Sequence, residues 1–197
     1  MRNVVKIIGE GPTEFFYLNS LKDDFPFLQN IAPKFPKHSS IKELEASIKQ
    51  GIEEGVNRIF VMIDMDNKRS GKEKQAYDKL KMKYHNLHKV VKKKGIDCEV
   101  RFFETERCTE LFFLYYFKFT TKSFPSSDDV VKDLNGACGY EKTKKFFAKH
   151  PLHPYFTKMG GDFFSALKNA DKSIANCRKG DNAYSELGKM FHALGIG

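Results

Sequence analysis

The sequence predicts an α/β protein, a mainly parallel four-stranded sheet flanked by helices and followed by a C-terminal α-helical lobe. Three observations carry this. Short apolar runs of strand length alternate with segments of helical periodicity up to about residue 105. One of these runs, Arg58 to Ile63, is almost unbroken, as in a strand covered on both faces. Strand signals then stop after Glu104 while helical ones continue. The order β-α-β-α-β-α-β requires crossover connections and therefore parallel pairing. Residues 1–105 are expected to form the α/β core and residues 106–197 a helical extension packed on it.

The first strand is Val4, Val5, Ile7 and Ile8, which stops at Gly9-Glu10-Gly11-Pro12. Phe15, Phe16, Leu18 and Leu21 then fall at helical spacing, and Pro12 suits the first turn, where its missing N–H is not needed. That helix is expected to end near Phe25-Pro26. Asn30 to Pro36 is a proline-limited strand candidate. Ser39 or Ser40 caps a second helix with Ile41, Leu44, Ile48 and Ile52 on one face, closed by Gly55. The Arg58–Ile63 strand ends at Asp64. Tyr77, Leu80, Tyr84, Leu87 and Val91 step by threes and fours, which predicts one helix from about Gly71 to Lys94 with Gly95 at its C′ position. Cys98 to Phe103 is the fourth strand. A very apolar helix from about Cys108 to Phe119 follows, and its Phe112, Phe113, Tyr115, Tyr116 and Phe117 read as core. After the linker Phe124-Pro125-Ser126-Ser127 come shorter helices, two of them separated by His150-Pro151-Leu152-His153-Pro154.

The formal charge of +9 is confined to one segment. Lys68 to Lys94 holds eleven basic and two acidic residues, and the rest of the chain is balanced. A local basic excess points to a polyanionic partner at one face, with DNA or RNA, tRNA included, the usual candidate. Lys68, Arg69, Lys72 and Lys74 begin directly after an acidic loop and are the residues expected to hold a nucleic-acid backbone. Lys142, Lys144 and Lys145 read as a solvated face. The four cysteines, at 98, 108, 138 and 177, are too dispersed for a disulfide framework or a four-cysteine zinc site, so a reducing cytoplasm is expected. Cys138, His150 and His153 lack a fourth zinc ligand. No apolar run approaches the ~20 residues of a membrane span, and the N-terminus lacks the apolar region of a signal peptide.

Ligands of open parallel sheets bind outside the carboxyl ends of the strands. Here those ends carry Glu10, Asp64, Asp66 and Glu104. Asp64 and Asp66, two apart on extended chain, suit a shared hard cation, and Mg2+ fits best because it takes one or two carboxylates and keeps waters that a phosphate can replace; Mn2+ is the alternative. Glu10, at a glycine-flanked turn, is suited to general acid or base work or to holding a second ion. Glu14 lies one turn into the helix. Acids at strand ends and first helical turns also serve simply to cap amides. The turn lacks the third glycine of a dinucleotide fingerprint and the Gly-Lys-Ser/Thr of a P-loop. In haloacid-dehalogenase-type phosphatases the Asp-x-Asp pair follows the first strand and Thr or Val comes soon after; here Lys68 stands in that place.

Glu10-Gly11-Pro12-Thr13-Glu14 and Asp64-Met65-Asp66, each after an apolar strand, resemble the first two motifs of the Toprim superfamily and, within it, of the RloB-like branch. Thr109-Glu110-Leu111-Phe112-Phe113-Leu114 is similar to the branch's third motif, with Glu110 as the carried-over acid, although Thr105-Glu106-Arg107 replaces its Ser-Asn-Pro. Ala166 to Ala170 and Asp181 to Leu187 resemble its C-terminal segments, with Ala183 where proline is common. The resemblance implies a metal-dependent nuclease related to the OLD type, in prokaryotic defence, with Glu10, Asp64, Asp66, Glu14 and Glu110 catalytic and Glu10, Asp64 and Asp66 holding metal. It also implies a separate ATPase as a partner and leaves self-association open. Two other classes remain: a non-catalytic module that binds nucleic acid or an ATPase, and a phosphatase or phosphotransferase for small substrates.

Overall fold

The chain enters the sheet through β1 (Val5–Ile8), all four residues of which are buried. The computed structural model describes residues 5–25, 28, 31–34, 40–84, 87–91, 96–177 and 182–197. Val4, Pro26, Asn30, Phe35, Pro36, Ser39, Lys92 to Gly95 and Asp181, which the expectations above include, lie outside these residues. After β1 come α1 (Pro12–Ser20), β2 (Ile31–Lys34), α2 (Ile41–Glu53), β3 (Arg58–Asp64), α3 (Gly71–Tyr84), β4 (Leu87–Val91) and β5 (Ile96–Thr105). The sheet order is β2-β1-β3-β5-β4. Val5–Ile8 of β1 pairs in parallel with Ile31–Lys34 of β2 on one side and Arg58–Val61 of β3 on the other. Ile59 to Ile63 are at most 1% exposed, which explains why β3 is apolar without alternation.

The α/β class stands, but the parallel part comprises three strands, not four. β4 pairs antiparallel with β5, Leu87 opposite Val100 and Val91 opposite Ile96. The long helix expected to reach Lys94 therefore ends at Tyr84. Leu87 and Val91 misled the periodicity because a step of four keeps residues on one side of a strand as well as of a helix. Val90 and Val91 are β-branched and favour the extended form, and a partner strand that begins after only four intervening residues makes the pairing local.

Contacts divide the chain into two compact units: Met1–Met62 with Asn67–Phe102, and Ile63–Asp66 with Phe103–Gly197. In the first, Ser40 caps α2 by accepting from Glu43 N at 3.3 Å, and Leu44 and Ile48 of α2 are fully buried.

The second unit holds α4 (Glu110–Leu114), α5 (Ser127–Cys138), α6 (Lys144–Lys149), α7 (Leu152–Lys158), α8 (Phe163–Asn176) and α9 (Leu187–Ala193). α4 is much shorter than the Cys108–Phe119 helix expected. Tyr115 O, which a helix running to Phe119 would use internally, accepts from Asn169 Nδ2 at 2.9 Å, and Tyr116 O accepts from Asp162 N at 3.0 Å. Phe112, Phe113, Tyr115 and Tyr116 form a core, with Phe113 against Phe156 at 5.1 Å and Phe112 against Phe191 at 5.6 Å between ring centroids. Ser126 and Asp129 form a reciprocal capping box on α5, and Gly139 (φ 72°) closes that helix in the left-handed conformation. His150-Pro151 separates α6 from α7, whereas Pro154 sits inside the first turn of α7. Thr105 forms an antiparallel bridge with Ser185. Among the described residues no helix is long and apolar enough to cross a membrane.

Candidate functional site

In the first unit the turn after β1 is shaped by close packing. A Cβ on Gly9 would lie 2.4 Å from Glu14 Cβ, so a side chain there cannot coexist with Glu14 in its present place. Glu14 is buried, and its Oε2 accepts from Gly11 N at 2.8 Å; it braces the turn and covers an amide at the start of α1. Glu10 lies at the apex of this turn. Its side chain is 11% exposed, and Oε2 accepts from Lys68 Nζ at 2.9 Å. Lys68 is itself 7% exposed, so the two opposite charges are held together away from most of the solvent.

A cavity of about 650 Å3 opens beside this ion pair, lined by Glu10, Ser40, Asn67, Lys68, Ser70 and Lys72, with Glu73 completing the wall. Of the four basic residues expected to hold nucleic acid, Lys68 and Lys72 reach the cavity. Arg69 and Lys74 are exposed, and Lys74 forms an ion pair with Asp78 four residues on. Lys68 differs from a free backbone-binding lysine, because its ammonium faces Glu10.

In the second unit the Asp-x-Asp segment is fixed by main-chain bonds: Met65 N donates to Thr105 O and Asp66 N to Arg107 O, both at 3.0 Å. Asp64 Oδ1 accepts from Thr109 N at 2.8 Å and Thr109 Oγ1 at 3.0 Å. Asp66 Oδ2 accepts from Ser127 Oγ at 2.7 Å, and its Oδ1 lies 3.6 Å from Arg107 Nη1. Arg107 is the one non-glycine with positive φ (69°) among the described residues, a conformation that costs an L-residue roughly 1–2 kcal/mol. Its Nε donates to Phe124 O at 2.5 Å and lies 3.6 Å from Glu106. The surroundings thus hold this backbone in place at the very residue that faces Asp66.

Glu110, in the first turn of α4, is fully buried. Oε1 accepts from Tyr140 OH at 3.0 Å and lies 3.0 Å from Lys142 Nζ, which is 3.1 Å from Oε2. Lys142 is exposed as expected, like Lys144 and Lys145, but it differs from them in pairing with a buried carboxylate. Burial would lower its ammonium, but the charge and hydrogen bonding of Glu110, with a further contribution from Asp64, hold it well above the usual range. Burial pushes the neighbouring Cys108 thiol far up, and Glu110 and Asp64 push it further. Asp64, Glu110 and Lys142 thus share one electrostatic environment. The sequence carries no signal for Lys142, since its partner lies 32 residues away with no common motif.

Glu104 and Glu106 join a different group. Tyr184 OH donates to Glu104 Oε2 at 3.1 Å, and Glu106 N to Tyr184 O at 2.8 Å. Burial raises the Tyr184 phenol, and Glu104, Glu186 and Glu106 add to the shift. His153 is buried with Nδ1 3.0 Å from Tyr116 OH, His150 packs on Phe146 and Tyr155, and Cys138 Sγ donates to Leu134 O; these three residues have separate partners.

Among the described residues no group of three or more His, Cys, Asp or Glu side chains is arranged to hold a metal. Mg2+, however, asks for only one or two carboxylates and takes water for the rest. The Asp64–Asp66 pair offers oxygen donors alone, and Thr109 and Ser127 orient one oxygen of each, as outer-shell partners do around metal ligands. The donor set fits a largely hydrated hard cation and not a closed protein cage.

The fold and these groups define an α/β protein whose acidic residues follow its parallel strands and are braced by hydroxyls and internal cations. The chain matches the RloB-like protein family over residues 5–194 and belongs to it. No curated protein and no solved structure matches the chain.

Proposed function

We propose that this RloB-like protein is a Toprim-type, Mg2+-dependent nuclease that hydrolyses phosphodiester bonds of DNA or RNA, acting in the prokaryotic cytoplasm as part of a defence system beside a separate ATPase. The observation that carries the reading is the pair Asp64 and Asp66, each with one carboxylate oxygen oriented by a hydroxyl and both two residues apart at the end of β3. Bound there, Mg2+ or Mn2+ would supply Lewis-acid polarisation of a phosphoryl oxygen. Asp64 and Asp66 would hold the ion, with Thr109 and Ser127 fixing their orientation. Glu10 would take a proton from the attacking water or hold a second ion. Lys142, paired with Glu110, would add positive charge in the field of Asp64, and Glu14 would keep the Glu10 turn in shape.

A second reading, a non-catalytic module that binds nucleic acid or an ATPase, is favoured by one specific feature: Lys68 stands against Glu10 and Arg107 faces Asp66, so internal cations already meet two of the acids. The experiment is a calorimetric titration of Mg2+ and Mn2+ into the wild type and Asp64→Ala/Asp66→Ala, followed by incubation of each with labelled DNA and total tRNA. Metal binding and cleavage that both vanish in the double variant support the nuclease. A folded wild type that binds neither ion refutes it and leaves the binding module.

A further inference from the structure

Arg107 stands beside Asp66 in the second unit, in a left-handed backbone conformation (φ 69°) that an L-residue keeps only where its surroundings impose it. Neutralising Asp66 does not account for that conformation. Arg107 Nη1 lies 3.6 Å from Asp66 Oδ1, beyond hydrogen-bond distance, and the other carboxylate oxygen takes the Ser127 hydroxyl at 2.7 Å. The firm contact is on the opposite edge of the guanidinium, where Nε donates to Phe124 O at 2.5 Å. Phe124 is itself 1% exposed, so this anchor belongs to the core. Glu106, buried on the same Nε edge at 3.6 Å, balances part of the charge. Among the described residues the Nη groups of Arg107 make no hydrogen bond, although Nη1 faces the acid pair. Asp66 N also donates to Arg107 O at 3.0 Å, so the main chain fixes where the arginine stands relative to Asp66. A guanidinium held by its Nε edge, with its Nη donors unspent and only 16% of the side chain exposed, is a pre-set receptor for two oxygens of one anion.

We propose that Arg107 is a substrate-binding residue of the Asp64–Asp66 site, its Nη donors taking two oxygens of a backbone phosphate of the nucleic acid. The inference rests on the nuclease reading for the identity of the substrate. It adds to that reading a phosphate-holding residue, and it needs no metal ion, because arginine is a permanent cation that the chain itself supplies. The left-handed backbone and the bond to Phe124 O orient the fork in advance, so less freedom is lost when the phosphate binds. Backbone strain is then the cost of a guanidinium placed at the acids and not spent on them.

The test is fluorescence anisotropy on the full chain with a labelled single-stranded DNA oligonucleotide and with labelled tRNA, in EDTA and again in Ca2+, over a series of salt concentrations. Arg107→Ala and Arg107→Gly should both bind about ten- to a hundredfold more weakly than the wild type, the scale of hydrogen bonds to a charged group. Their plots of log affinity against log salt should be shallower by about 0.7 to 0.9, the counter-ion release of one phosphate contact. Arg107→Lys keeps the charge and loses the fork, so it should keep the slope and recover only part of the affinity. The alanine and glycine variants separate binding from folding: both lack the guanidinium, but only glycine relieves the backbone. Equal losses of affinity at unequal stability, read by thermal melts, are therefore expected. A wild type that binds neither nucleic acid fails the nuclease reading and this inference with it. A wild type that binds, beside alanine and glycine variants of unchanged affinity and slope, overturns this inference alone. So does a glycine variant that restores the affinity lost in the alanine variant, because binding would then follow stability. A lysine variant that binds as tightly as the wild type overturns the two-oxygen contact.

Discussion

Replacing Glu110 tests how far a buried carboxylate carries the second unit. The side chain is fully buried and receives Tyr140 OH at 3.0 Å and Lys142 Nζ at 3.0 and 3.1 Å. In Glu110→Ala the phenol of Tyr140, also fully buried, loses its acceptor, which costs about 1–3 kcal/mol for the stranded hydroxyl. The Lys142 ammonium, 42% exposed, can turn to water, so its pairing is discounted to at most about 1 kcal/mol. With the space left by the carboxyl group, the expected loss is about 3–4 kcal/mol, within the range for breaking a buried pair from one side. Glu110→Gln keeps the shape and an acceptor for Tyr140 but presents no charge to Lys142, so at most about 1 kcal/mol is expected. The assay is chemical denaturation followed by far-ultraviolet circular dichroism, because the chain has no tryptophan to report by fluorescence. A cycle with Tyr140→Phe isolates the phenol's share: once Tyr140 is gone, Glu110→Ala should cost at least about 1 kcal/mol less. A Glu110→Ala variant within ~0.5 kcal/mol of wild type, or an additive cycle, would show that these contacts do not hold the site together and would refute the reasoning.

Three further outcomes are expected. Gly9→Ala should destabilise the protein by about 1–3 kcal/mol, since its Cβ would fall 2.4 Å from Glu14 Cβ, whereas Gly11→Ala, whose nearest neighbour would lie at 3.5 Å, should stay near wild type; thermal melts of the two side by side decide it. Arg107→Gly should be more stable than Arg107→Ala by about 1 kcal/mol, because both lose the contacts to Phe124 O and Asp66 but only glycine accepts φ 69° without strain; equal stabilities would deny strain there. His192 lies 2.9 Å from Asp171, and that hydrogen bond, with its charge, raises the imidazole above its ordinary value of 6.5. A raised value means that the folded state holds the proton more tightly, so this stabilisation is complete below about pH 6.5 and is lost as pH rises through the folded-state value. Asp171→Asn should remove this part of the stability–pH profile, and an unchanged profile would exclude the pair as its source.

Local signals made much of the fold legible. The apolar run of β3, the Pro12 helix start and a serine cap on α2 were readable because each depends on residues within a few positions of one another. The errors lie where a local pattern fits two structures. Leu87 and Val91 satisfy helix and strand periods alike, and only the antiparallel pairing with Ile96–Val100 selects the strand. The apolar stretch beyond Leu114 would continue as a helix if Asn169 did not take the Tyr115 carbonyl that it needs.

For the candidate site, the sequence by itself determined which acids follow which strands, because a strand end and a glycine turn are short-range features: Glu10 after β1, Asp64 and Asp66 at the end of β3, and Glu110 at the head of α4. Only the tertiary structure decided what each acid meets. Glu10 and Lys68 are 58 residues apart, Asp64 and Thr109 45, Asp66 and Ser127 61, and Glu110 and Lys142 32. A buried carboxylate must find a donor or a counter-charge, but composition and spacing do not say which of the chain's 34 basic residues or its many hydroxyls will be there. That choice is made when the sheet and helices pack, since packing brings residues far apart in sequence to within hydrogen-bond distance.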